Sequence, residues 1–128
     1  MSTPCILVLT ARSPERIIKE GGSQAWRLSQ RRAKSKEYFV CVQNRRNPTF
    51  GDANQPHHVA FMIGRIADVV PSEETDGRYK VVFSEYAIIN VPKAWPGLRS
   101  PVLYMDLERL GIDPSKLDWQ PMPVVSDN

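Results

Sequence analysis

The chain predicts an α+β fold: a small, curved, mostly β sheet or open barrel of five to six strands with two to three short helices. Three observations carry this expectation. Apolar, β-branched stretches recur along the whole chain between clusters of Pro, Gly, Asn and Asp, whereas helix signals are few and short. The total of 128 residues is a common single-domain size, at which folding hides roughly 70% of the unfolded surface, so a single domain spanning 1–128 with its own core is expected. No internal repeat, low-complexity tract or linker divides the chain.

The elements follow in order. Cys5 to Thr10 (CILVLT) is aliphatic without strict alternation, the pattern of a strand covered on both faces, and is expected at the centre of the sheet. Ser13, Pro14 and Glu15 supply a cap, a first-turn proline and a first-turn acid for a helix over 14–20, which Gly21-Gly22 ends. A brief strand over Gln24 to Leu28 and a short helix over Gln30 to Lys36, capped by Ser29, come next. Tyr38 to Asn44 (YFVCVQN) reads as a strand whose residues Tyr38, Val40, Val42 and Asn44 share one face.

Arg45 to His57 holds two prolines, a glycine and a mid-loop aromatic, Phe50, and reads as a long loop. His58 to Val70 and Arg78 to Val91 form a hairpin around the acidic turn 71–77, with Gly64 marking a bulge or a close approach. Three prolines make 92–101 a loop, and Val102 to Met105 a short edge strand. Asp106 and Asp113 are successive helix caps, and Leu117 to Val125 closes the structure as an extended segment in which Trp119 packs into the core.

Composition excludes several classes. An apolar fraction of 41% and a charged fraction of 24% fit an ordinary globular domain, and no apolar run reaches the roughly 18 residues of a spanning helix. The apolar start lacks a basic leader region and is taken as a first strand. Cys5 and Cys41 lie inside apolar runs and are expected to be buried thiols, which points to a cytoplasmic location. His57 and His58 are neighbours whose side chains on a strand would diverge, so no metal is expected. No phosphate loop, dinucleotide fingerprint or serine-nucleophile motif occurs, and no cofactor is expected. Glu85, inside an otherwise apolar strand, calls for either a raised pKa or a buried partner such as an arginine, with a structural ion pair favoured over a catalytic acid.

The strongest signal is charge. Net charge is +3, but residues 1–65 carry eleven Lys or Arg against four acids, while 66–128 carry six against ten. Arg27, Arg31, Arg32, Lys34 and Lys36 precede the YFVCV strand and Arg45 and Arg46 follow it. Either this is a solvated helix face plus a basic loop, or the charges at the two ends of the strand guide a phosphate backbone across the sheet, with binding that weakens steeply in salt. Trp26, Tyr38, Phe50 and Trp95 lie near the cluster in sequence and offer rings on which bases stack.

The order of elements, together with YFVCVQN, HVAFMIGRIADVV, RYKVVFSEYAIINVP and SPVLYMDLERLGI, resembles the PUA-like superfamily, and within it the ASCH, EVE and YTH groups. The resemblance implies a small β-barrel with flanking helices and a concave pocket that, in EVE and YTH members, accepts a flipped modified base between aromatic side chains. Trp26 matches the first cage aromatic, Asn44 lies near the polar loop of the family, and Trp95 stands as a second wall without a clean motif match. The Gly-Lys signature of ASCH members is missing from EGGSQAWRL, and with it the lysine that ASCH-type ribonuclease or amidohydrolase activity requires.

The expected function is a noncatalytic module binding RNA or DNA, reading a modified or unpaired base through Trp26, Arg27, Arg31, Arg32, Lys34, Tyr38, Asn44, Arg45, Arg46 and Trp95. Two alternatives stand beside it. One is an enzyme of the ASCH type using Glu85 with Lys34 or Tyr38, and the other a protein-binding accessory factor with an acidic partner. No membrane partner is expected.

Overall fold

The computed structural model describes residues 2–45 and 51–123; Arg46, Phe50 and the end of the last extended segment from Val124 lie outside the described residues. Inside the sheet β1 (Pro4–Thr10) pairs in parallel with β3 (Tyr38–Gln43), in a register running from Cys5 opposite Tyr38 to Thr10 opposite Gln43. A parallel pair needs a crossover, and α1 (Pro14–Glu20), β2 (Gly22–Trp26) and α2 (Gln30–Lys34) provide it. Because side chains alternate, Ile6, Val8, Phe39 and Cys41 enter one core with Ile17 of α1 and Ala33 of α2. Cys5, Leu7, Tyr38, Val40 and Val42 enter a second core, closed by Leu107 and Ile112.

The helix signals act as expected at α1. The Ser13 hydroxyl accepts from the Arg16 N–H at 3.2 Å, and Gly21 ends the helix at φ 79°, a conformation that costs glycine little. Helix α2 stops at Lys34, two residues short of the expected Lys36. The Ser35 hydroxyl donates to the Arg32 carbonyl at 2.6 Å, a local bond that competes with helix continuation.

Strands β4 (Ala60–Pro71) and β5 (Tyr79–Val91) form the expected hairpin, and β4 starts after His58 because that residue sits at φ 66° and breaks the extended run. Three register shifts along the hairpin bend it. Gly64 lies at the bend, where a Cβ would stand 2.5 Å from the Phe83 ring; the close approach is an aromatic ring seated on bare backbone. Strand β2 covers Gly22–Trp26, earlier than the expected Gln24 to Leu28, and pairs with the outer edge of β5.

Strand β6 (Val102–Asp106) runs antiparallel to β1, and a two-residue β7 (Gln120–Pro121) joins β5 beyond β2. The order is β2-β5-β4-β3-β1-β6, a curled mixed sheet forming a half-barrel with two short helices, so the small open α+β barrel expected from sequence is observed. β1 is interior but one strand from the edge rather than central. Asp106 and Asp113 stand at the starts of 3-10 turns, Leu107–Leu110 and Pro114–Lys116; the Asp113 carboxylate accepts from the Ser115 N–H, whereas Asp106 makes no side-chain capping bond among the described residues. Cys5 and Cys41 are buried free thiols, and burial pushes the Cys5 thiol up to about 12. Among the described residues no helix is long and apolar enough to cross a membrane.

The Gly64–Phe83 contact yields a stability test. Gly64→Ala is expected to lower urea-unfolding stability by about 1–3 kcal/mol through overpacking, and by less than half of that in a Phe83→Leu background. Equal losses in both backgrounds would show that the ring does not set the cost.

Candidate nucleic-acid interface

Curling of the sheet brings the end of β2 near the start of β6, and a cavity of about 260 Å³ opens at this seam between Trp26, Arg27, Arg78, Ser100, Pro101 and Val102. Trp26 is held rigidly there. It is only 7% exposed, packs into the helix-covered core, and its indole N–H donates to the Ser23 hydroxyl at 2.8 Å. Ala25 takes φ 68° where the β2–β5 register slips, and the Arg78 guanidinium donates to its carbonyl at 3.2 Å, so the same irregularity that turns the indole inward also anchors Arg78 beside it. Arg27 is exposed.

Helix α2 buries only Ala33, so its basic side chains remain outside. The Arg32 guanidinium lies 3.7 Å from the centre of the Tyr104 ring on β6, a cation–π contact, and Arg31 is exposed. Lys34 is 3.5 Å from Asp68 in an exposed pair of small energetic weight. The Tyr104 hydroxyl is buried without a hydrogen-bond partner among the described residues, and burial raises the pKa of the phenol, keeping it a neutral donor.

Asn44 and Trp95 do come together, but elsewhere. They line a cavity of about 280 Å³ with His57, His58 and Leu98. Trp95 packs into the second core, on the opposite face of the sheet from Trp26, so the three expected base-contacting residues do not share one hollow. The loop between them borders both cavities, Leu98 facing one and Ser100 the other. The two imidazoles stack at 3.8 Å rather than diverging, because His58 adopts a left-handed turn instead of a strand conformation. The Arg45 N–H donates to His57 Nδ1 at 3.0 Å. Among the described residues no group of three or more His, Cys, Asp or Glu is arranged to hold a metal ion.

The route across β3 is closed. All six of its residues are buried, and Tyr38 is a core side chain whose ring packs on the half-buried Trp119 at 6.0 Å. Charge does gather at both ends of β3, with Lys36 before it and Arg45 after it, but the chain covers both faces in between. Arg65 donates to Glu85 at 2.6 Å, to Glu37 at 2.6 Å and to the Tyr38 hydroxyl at 3.2 Å, which makes Glu85 the ion-paired acid anticipated from its position.

Sequence patterning gives no sign of Arg78 and Ser100, which reach the seam only through the curl. Gln43 was not singled out in the sequence, although a polar residue at the end of an apolar strand is a signal that could have found it. Fully buried, it donates to the Thr10 and Arg12 carbonyls at 2.8 and 3.0 Å and accepts from the Asn54 and Gln55 N–H groups at 3.3 and 3.2 Å. Both amide hydrogens and both acceptor sites are used, tying the ends of β1 and β3 to the loop that follows β3.

Comparison with known proteins finds no matching family model, no similar curated protein and no similar solved structure.

Gln43→Leu is expected to cost about 2–4 kcal/mol, because it leaves buried carbonyl and N–H groups without partners. Chemical denaturation measures it, and a loss below about 1 kcal/mol would mean that water replaces the amide.

Proposed function

We propose that this chain is a noncatalytic nucleic-acid-binding module of the PUA-like kind, taking an unpaired nucleotide at the seam between β2 and β6. The observation that carries this proposal is the seam cavity itself, where one indole and two arginines, Arg27 and Arg78, meet beside the basic outer face of α2. A guanidinium is suited to phosphate by its planar fork of donors, and an aromatic wall is suited to a base by its flat face. Trp26 is only 7% exposed and offers a base little of its face, so stacking supplies less than the roughly 1–3 kcal/mol of an open ring. The arginines supply the remaining, salt-dependent affinity.

Binding is favoured over reaction by what surrounds the cavity. Among the described residues the one hydroxyl lining it, on Ser100, donates to the Val102 carbonyl at 3.0 Å, and no carboxylate or imidazole lines the space to activate it. The acid and base candidates lie apart from it: Glu85 and Tyr38 are engaged by Arg65, and Lys34 sits beside Asp68.

The test is fluorescence anisotropy of labelled single-stranded RNA, single-stranded DNA and duplex across a potassium chloride series. Trp26→Ala is a poor probe, because removing a buried indole costs about 3–5 kcal/mol of stability and would confound a loss of binding. Arg27→Gln/Arg78→Gln avoids the core. It is expected to weaken single-strand binding at least tenfold and to flatten the plot of log affinity against log salt by about 1.4, the share of two phosphates. Unchanged affinity and slope in this variant, with circular dichroism intact, would overturn the proposal.

A further inference from the structure

We infer that a second subsite, formed by Lys36 and Arg109 at the far end of β6, takes an internal phosphodiester of the same strand, so that bound nucleic acid runs along the unpaired edge of β6. This rests on the binding function proposed above and extends it to a site that joins Lys36 of the basic stretch to Arg109, which lies outside that stretch. Among the described residues β6 pairs only with β1, which leaves its outer edge without a strand partner. Val102 borders the seam cavity, and Asp106, four residues further on, borders a separate cavity of about 450 Å³. At strand rise the two borders are ~13 Å apart.

What lies between them suits a phosphate chain. Tyr104 stands midway and carries the Arg32 guanidinium on its ring at 3.7 Å, with the Lys36 ammonium 5.8 Å from the same ring. Tyr104 also borders the second cavity, and its buried hydroxyl has no hydrogen-bond partner among the described residues. Lys36 and Arg109 line that cavity, and neither forms an ion pair among the described residues, in contrast to Lys34, Arg12 and Arg65, which are engaged by carboxylates.

Asp106 also borders the cavity, and this bears on the class of anion. Lys36, Arg109 and Asp106 together give the border a formal balance of one positive charge, and each further negative charge on the ligand adds repulsion from Asp106. A phosphodiester carries one charge; a terminal phosphate or a polyphosphate carries more. The subsite therefore favours the interior of a strand over its end.

The test compares a labelled single-stranded decanucleotide on three double variants and the parent protein, each checked for an unchanged thermal melt. Lys36→Gln/Arg109→Gln is expected to weaken binding about tenfold and flatten the salt slope by about 1.4, while Lys93→Gln/Lys116→Gln, which removes equal charge from outside both cavities, stays within twofold of the parent. Adding a terminal phosphate to the oligonucleotide is expected to leave affinity within twofold. Equal losses in both lysine-containing pairs would reduce the effect to general charge and overturn the subsite. If Arg27→Gln/Arg78→Gln weakens binding and Lys36→Gln/Arg109→Gln does not, the subsite is overturned while the binding function stands. Absence of binding by the parent protein would remove the binding function first.

Discussion

The parallel pairing of β1 with β3 is the constraint from which the remaining structure follows. Both strands are apolar on both faces, and a sheet whose interior strands have no polar face must be covered twice. The crossover supplies one cover through Ile17 and Ala33, and the segment after β6 supplies the other through Leu107 and Ile112. Neither cover is large. A five-residue helix with a single buried alanine can spare its other positions for charge, which is why α2 is basic without being disruptive. The helix lies along β4, where Gln30 donates to the Val69 carbonyl and Lys34 sits beside Asp68, and from there Arg32 reaches the Tyr104 ring on the edge strand β6.

Curvature completes the arrangement. The hairpin of β4 and β5 bends at its register shifts, with the Phe83 ring on Gly64, and carries β2 round toward the start of β6. The seam is therefore a product of long-range geometry, and its two cations come from separate parts of the chain: Arg27 after β2 and Arg78 before β5. At the same end, Gln43 and the Asp52 carboxylate, which accepts from the Ser13 N–H at 2.8 Å, fix the loop after β3 to the end of β1. Burial and hydrogen bonding thus stiffen the frame on which the exposed arginines sit.

Much of the frame was legible in the sequence, because apolar runs and caps act locally. CILVLT, YFVCV and the Ser13-Pro14-Glu15 start of α1 each form the element their pattern specifies. Glu85 was legible as a paired acid for a similar reason: a carboxylate in an apolar strand has to find a cation, and cross-strand Arg65 is opposite it. The site was legible only in its ingredients. Trp26 beside Arg27 in a basic stretch reads as an accessible ring, but the positive φ of Ala25 turns it into the core, and backbone handedness at an alanine leaves no mark in a sequence. YFVCV lacks polar alternation, and covering on both faces is the physical consequence, so charges at its two ends cannot be joined across it. Arg78 and Ser100 reach their cavity only when the sheet has curled, and Arg109 reaches its own through the pairing of β1 with β6, neither of which a local pattern encodes.

The central claim is that nucleic acid engages the seam rather than the cavity of Trp95 and Asn44 on the other face. Nitrogen-15 NMR during titration with a single-stranded oligonucleotide tests it most directly, since Trp26, Trp95 and Trp119 are the three tryptophans and each gives its own indole signal. The expected result is a shift of the Trp26 indole and of the Arg27 and Arg78 side-chain signals, with those of Trp95 and Asn44 unmoved. Movement of Trp95 and Asn44 while Trp26, Arg27 and Arg78 stay fixed would contradict the account.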